Sequence, residues 1–422
     1  MKILQVLLIS LVLLPAAARA QFIFTTNNGA ITIMGYAGAG GAVTIPGSTN
    51  GLPVTRIGNG AFQNKIAMTS VVIPSSVTNI GSDAFQGCNG LTSVALSEQI
   101  KAIGLFAFGN CRKLTAITVD PLNPFYGGMN GILFSKDHTT LIQFPAGLSG
   151  PYTIPEGVTR IQSQAFVGST KLVSVLIPGS VTNIGSDAFE YCISLSAITV
   201  DANNPVYGSV EGVLFDKSQA SLVAYPAGKG GDYIVPGGVT RIGPYAFAYA
   251  SLTNITIADS VTSIEDGAFI FCPSLAGVII GSGITNISGN AFFDCSSLSG
   301  VYFRGNAPSA DNTAFSYDAT TVYYLPGTVG WEATFADVPT APWLLPNPII
   351  LNQGLGFGAL TNGFSFTISW ATNAGVVVEA CTDLASPVWQ PLQTNTLVDG
   401  SFYFTDAAWA DYPDRFYRLR SP

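Results

Sequence analysis

A single histidine stands among the 422 residues: His138, in the run Lys136-Asp137-His138-Thr139. A Ser-His-Asp triad or an imidazole-held metal would have to use it. A matching segment later in the chain carries Ser218 or Gln219 near the equivalent place, so His138 reads as an exposed turn residue. Five of the six cysteines, Cys88, Cys111, Cys192, Cys272 and Cys295, share one position of a recurring pattern that Ser169 and Ala250 fill elsewhere. A slot that accepts Cys, Ser or Ala is small and buried. Neighbours such as Cys88/Cys111 and Cys272/Cys295 would project in parallel, a poor geometry for a disulfide, although an oxidising compartment leaves bridging open. Cys381 stands alone, and without a CxxC pair zinc is not expected. Glycoside hydrolysis needs two acids about 5–10 Å apart in a cleft, whereas Asp83, Glu156, Asp187, Glu211 and Asp266 fall at turns. Asp120 with Asn123, and Asp201 with Asn203 and Asn204, suit calcium by type. Asn and Asp before Pro more simply set a turn. The run Gly35 to Gly41 is followed by no helix and no lysine, so it is not a phosphate loop. No catalytic, cofactor-binding or metal-binding residue is expected.

Composition narrows the remaining classes. Apolar residues make up 48% and charged ones 10%, with 46 Gly and 25 Pro, so strands and turns are favoured over helices. A net charge of −8, with 17 basic residues scattered singly, argues against nucleic acid and against anionic lipid. Residues 1–20 have the form of a secretory signal: Lys2, an apolar stretch from Ile3 to Leu14, and Ala18-Arg19-Ala20 before Gln21. The apolar stretch is too short to cross a bilayer and no later segment does so, hence no transmembrane span. A secreted or cell-surface location is expected.

The elements that position these residues come from an internal period. Ala-Phe pairs begin at Ala61, Ala84, Ala107, Ala165, Ala188, Ala246, Ala268, Ala291 and Ala314, spaced 23, 23, 58, 23, 58, 22, 23 and 23. Around each runs Val-Thr-x-Ile-Gly-x-x-Ala-Phe-x-x-Cys-x-x-Leu-x-x-Val/Ile-x-Ile-Pro, as from Val77 to Leu96 and Val181 to Val200. The Leu-x-x-Val-x-Ile segment suits a short strand with inward apolar residues. A single coil cannot bury such faces, whereas stacked coils share one core. Both 58-residue gaps share an insert: Asp120 to Gly127 matches Asp201 to Gly208, and Gly131 to Lys136 matches Gly212 to Lys217. Each insert is read as a β-hairpin that leaves the stack.

Ile-Gly-x-x-Ala-Phe-x-x-Cys-x-x-Leu, the Val-x-Ile-Pro strand and the Asn-Pro-x-Tyr/Gly-x-Leu-Phe insert resemble the BspA-type (Treponema pallidum-type) leucine-rich repeats of bacterial surface proteins. The resemblance covers roughly residues 43–326. It implies a curved right-handed solenoid with a parallel sheet on its concave face, in an extracellular protein of adhesin type. Lys65 and Asp318 replace Cys in the first and last coils, as end coils with solvated faces require.

The expected fold is mainly β: a leucine-rich-repeat solenoid with a parallel sheet and hairpin inserts, followed by a small C-terminal antiparallel β-sandwich. The expected order is a signal peptide (1–20), an N-terminal cap (21–42), the solenoid (43–338, inserts at about 120–150 and 201–231), a linker (339–348) and the sandwich (349–422). In the last, Gly363 to Trp370, Gly375 to Cys381, Trp389 to Thr394, Ser401 to Thr405 and Arg415 to Leu419 read as strands. Trp370, Trp389 and Trp409 suit sandwich core packing better than a sugar platform. Outward positions Ser70, Ser93, Thr118, Thr199, Asn254 and Thr256 make an uncharged, hydroxyl-rich face, with Tyr126, Tyr207 and Tyr302 beside it. Such a face suits an extracellular protein or polysaccharide. Binding or adhesion without catalysis is the expected function; the alternatives are an envelope spacer with no specific ligand and an extracellular hydrolase.

Overall fold

The computed structural model describes residues 21–343, 349–351, 357–360, 363–369, 374–397 and 401–420. The expected signal segment, Trp370 and part of the expected linker lie outside them. The chain divides into two compact units, residues 1–217 with 226–229, and residues 218–225 with 230–422.

Each 23-residue repeat closes one coil, and neighbouring coils are tied by ladders in parallel register. One ladder joins two-residue strands: Arg56 pairs with Asn79, and Ile57 with Ile80, which pairs in turn with Ile103. A second joins the Val-x-Ile strands, such as Ser174 to Ala197 and Val175 to Ile198. A third runs through the Ala-Phe turns, where Phe62 N–H donates to Ala84 O and Phe269 N–H to Ala291 O, both at 2.7 Å. Side chains add to these ladders. The Thr of Val-Thr-x-Ile donates its hydroxyl to the carbonyl one coil back, as Thr78 to Thr55 and Thr285 to Thr262. The pattern places Thr there because one residue supplies both N–H and O–H donors to the preceding coil.

The core is a column of repeats of one contact. Phe62, Phe85 and Phe108 stack at 5.0 and 5.5 Å between ring centroids in the first unit. In the second, Phe247, Phe269, Phe292 and Phe315 stack at 4.6, 4.8 and 5.2 Å, with ring planes within 14°. These separations follow the spacing of about 4.8 Å between hydrogen-bonded strands.

The first insert does not leave the stack: Tyr126–Met129 pairs antiparallel with Ile132–Ser135, which pairs with Thr140–Gln143. Thr140–Gln143 then pairs in parallel with Arg160–Ile161, taking the place of a two-residue strand. Phe144 N–H donates to Ala165 O and its ring packs on Phe166 at 5.1 Å, so Phe144 holds the Phe position of a coil with no Ala-Phe pair. Leu133 and Phe134 are fully buried. The insert is an enlarged coil, because a hairpin with this apolar a strand cannot stand in solvent.

The period ends later than expected. Val338–Pro342 pairs in parallel with Thr321–Tyr324 and antiparallel with Thr334–Phe335, so residues 339–342 are strand rather than linker. Pro339 and Pro342 are tolerated because each has a strand partner on one side only, Thr334 for Pro339 and Tyr324 for Pro342, so fewer N–H donors are needed there. Beyond it, Ile349–Leu351, Gly358–Leu360, Gly363–Ser369 and Ser401–Asp406 form one antiparallel sheet, and Ala374–Cys381, Gln390–Leu397 and Phe416–Arg420 another. Phe366, Ile368 and Phe404 of the first meet Val376 and Val378 of the second, which makes the sandwich.

Candidate functional site

The nine residues expected on the binding face do not all reach it. Ser93, Thr118 and Thr199 are exposed on short strands of the first unit, and Ser70 is half-buried. Their face is broken into two- and three-stranded pieces. Two of the pieces end at an insert: Ile117 N–H donates to Gly131 O, and Ile198 N–H to Gly212 O. Tyr126 and Tyr207 are not on that face. Their hydroxyls accept the N–H of Ile103 (3.0 Å) and Ile184 (3.1 Å), which makes them parts of the stack. The face is also less hydroxyl-rich than expected, since Val72 and Leu176 occupy outward positions and Val72 is 58% exposed.

In the second unit the face is one seven-stranded sheet that includes Gly231–Ile234, Leu252–Ile257, Gly277–Ile280, Gly300–Phe303, Thr321–Tyr324 and Val338–Pro342. Register aligns two outward rows. One runs Asp232, Asn254, Gly277, Gly300 and Thr321; the other runs Ile234, Thr256, Ile279, Tyr302 and Tyr323. Asp232 accepts hydrogen bonds from the Thr253 hydroxyl (2.7 Å) and the Asn254 amide (2.8 Å), which hold its carboxyl below the usual range. Gly300 makes room for the Tyr302 ring, which lies across it: a Cβ there would sit 2.7 Å from the Tyr302 hydroxyl, and Gly300 is buried. Tyr302 and Tyr323 stack at 4.9 Å, and Trp343 packs on Tyr302 at 5.1 Å. Asn254, Thr256 and Tyr302 thus share a surface with Asp232, Tyr323 and Trp343, which sequence reasoning missed. The spacing of Tyr323 one coil after Tyr302 was the available signal.

The remaining candidates for chemistry are used in folding. Each repeat thiol donates to the carbonyl of a Phe in the preceding coil: Cys88 to Phe62 at 3.0 Å, Cys192 to Phe166 at 3.2 Å, Cys295 to Phe269 at 3.0 Å. All six cysteines are free and buried. Burial pushes Cys88 up to about 11 and Cys192 to about 12, so both stay protonated. Asn123 is fully buried; its amide donates to Ser97 O and Ile100 O, and its oxygen accepts from Phe125 and Tyr126 N–H. Asn204 repeats that pattern with Pro178, Val181, Val206 and Tyr207. These amides have no capacity left for a cation. His138 stands at a turn with left-handed backbone, against Phe134 at 5.8 Å. Trp389 and Trp409 are half-buried rather than core residues: Arg418 lies over Trp389 at 4.4 Å, and Trp409 flanks Phe364. The closing Arg-Phe-Tyr-Arg-Leu-Arg run has a structural use. Arg420 and Arg418 reach buried Glu379 at 2.6 and 2.7 Å and hold its carboxyl below its ordinary value.

Short parallel strands in register, a shared Phe column and one buried thiol slot per coil define a β-solenoid of leucine-rich-repeat class. Six copies of the BspA type leucine rich repeat region match residues 54–148, 151–211 and 232–330, and the chain belongs to that family. It is similar to a leucine-rich repeat protein from Eubacterium ventriosum, at 24% identity over 71% of this chain and 74% of that one, with a TM-score of 0.45. A leucine rich cell surface protein from Faecalibacterium prausnitzii is 27% identical over 72% and 93% of the two chains, with a TM-score of 0.38. Comparison with curated proteins gives no match. No helix among the described residues is long and apolar enough to cross a membrane.

Proposed function

We propose that the chain is a secreted or cell-surface, non-catalytic binding protein that presents the outer sheet face of residues 231–343 to an extracellular protein or polysaccharide. One observation carries this reading: one continuous sheet face holds the Asp232/Asn254 polar end and the Tyr302/Tyr323/Trp343 aromatic end. Aromatic rings with nearby hydrogen-bonding groups are the chemistry of contact surfaces. Export rests on the form of residues 1–20. The family supports a display role for a repeat array. A spacer without a ligand is the second reading, favoured by the three hydrogen-bonded ladders that stiffen each coil against the next.

Pull-down of the mature chain on immobilised polysaccharides and matrix proteins tests it. Retention by at least one ligand, lost in the double variant Tyr302→Ser/Tyr323→Ser, is expected. Passage of the parent chain through every matrix at high micromolar concentration leaves the spacer.

A further inference from the structure

The residue two places after each Phe of an Ala-Phe pair has left-handed backbone in every coil: Asn64, Gly87, Asn110, Gly168 and Tyr191, then Tyr249, Phe271, Asp294 and Tyr317. Asn and Gly accept that conformation readily, whereas an aromatic side chain does not. Their repeated use there is a departure from what the coil itself asks for, and such departures accompany function. In the second unit the rings form a row on the coil wall, away from the core column. Tyr249 to Phe271 is 5.1 Å, Phe271 to Phe293 5.6 Å, and Phe293 to Tyr317 5.0 Å. The core rings lie nearly parallel and cover one another. These instead tilt by 84° and 65° at the last two steps, and Tyr317 is 81% exposed.

The first unit shows what a ring at this position can take. Arg112 lies over Tyr191 at 5.1 Å from guanidinium carbon to centroid, and the intervening coil carries Gly168 there. Charge points the same way. Residues 21–229 carry ten basic and ten acidic residues, whereas residues 230–343 carry nine acids against Arg241 and Arg304. Arg241 is held by Glu265 at 2.9 Å. Exposed Asp294 stands in the row itself, next to Phe293. Rings beside carboxylates in a field of one sign attract cations rather than neutral or acidic surfaces.

We propose that the row Tyr249, Phe271, Phe293 and Tyr317 is a docking site for an arginine- or lysine-rich segment of an extracellular protein, its cations seated on the rings and paired with Asp294. The site rests on the binding reading above and adds to it a second surface with a stated partner chemistry. Fluorescence anisotropy of a labelled Arg-Gly repeat decapeptide against the mature full chain in low salt tests it, with the parent, Phe271→Asn/Tyr317→Asn and Tyr302→Ser/Tyr323→Ser side by side. Soluble neutral β-glucan serves as competitor. The peptide is expected to bind the parent, to weaken with salt, and to lose about tenfold in affinity on the row variant while the sheet-face variant is unchanged. The row variant introduces the residue type that other coils use, so its melting temperature is expected not to fall, which separates lost binding from lost folding. Three results overturn the site: no peptide binding to the parent, equal binding to the row variant, or displacement of the peptide by β-glucan. Each leaves the pull-down on the sheet face as the separate test of a binding role.

Discussion

Ser169 shows how one atom reports on a whole coil. It fills the thiol slot, is fully buried, and its hydroxyl has no partner. The Phe carbonyl that a cysteine would use belongs here to Phe144, and the Gln143 amide already donates to it at 3.0 Å. A buried hydroxyl without a partner costs about 1–3 kcal/mol. Ser169→Ala is therefore expected to stabilise the chain by about 1 kcal/mol in denaturant titration. Asp318 is the counterpart in the last coil. One carboxylate oxygen accepts the Cys295 N–H at 2.7 Å and the other has no partner. Burial, with Asp294 adding to it, pushes this acid up to about 7. A folded value above the unfolded one means the native state binds the extra proton, so stability falls as pH rises from about 4 through 7. Asp318→Asn should flatten that slope and raise the melting temperature at pH 8; an unchanged slope would show that the proton resides elsewhere. The protonated, buried repeat thiols should resist a thiol reagent until the chain is unfolded.

At the scale of the element, two substitutions act in opposite directions on one coil. Phe269 is fully buried between Phe247 and Phe292, and Phe269→Ala should cost about 3–5 kcal/mol. Two residues on, Phe271 has left-handed backbone, which costs a non-glycine residue about 1–2 kcal/mol. Phe271→Asn should recover about 1 kcal/mol of this, read as a higher unfolding midpoint. A lower midpoint would mean that the ring contributes packing worth more than the backbone strain. The 23-residue spacing makes the coils and their buried Phe column legible in the amino-acid sequence. The inserts are not, because Phe144 follows Gln143 rather than Ala and the period breaks across them. Nor is the strand Val338–Pro342, whose two prolines read as a boundary. Of the candidate surface, Asn254, Thr256 and Tyr302 are legible as outward strand positions. Asp232, Tyr323 and Trp343 become neighbours only through register, and Tyr126 and Tyr207 turn inward because their hydroxyls serve backbone N–H groups across the stack.

For the molecule as a whole, stability should accumulate by nearest-neighbour contact, each coil held by the next within its unit. That makes the enlarged coil of the first insert decisive. If it is a member of the stack it carries the ladders; if it is a hairpin at its side, the stack is broken there. Residue-resolved amide hydrogen exchange on residues 21–422 distinguishes these directly. With the insert in the stack, the N–H groups of Phe144 and Ile117 should exchange as slowly as those of Phe85 and Phe166, since all four donate between neighbouring segments of the stack. Rapid exchange across residues 126–144, with Phe85 and Phe166 still protected, would contradict it.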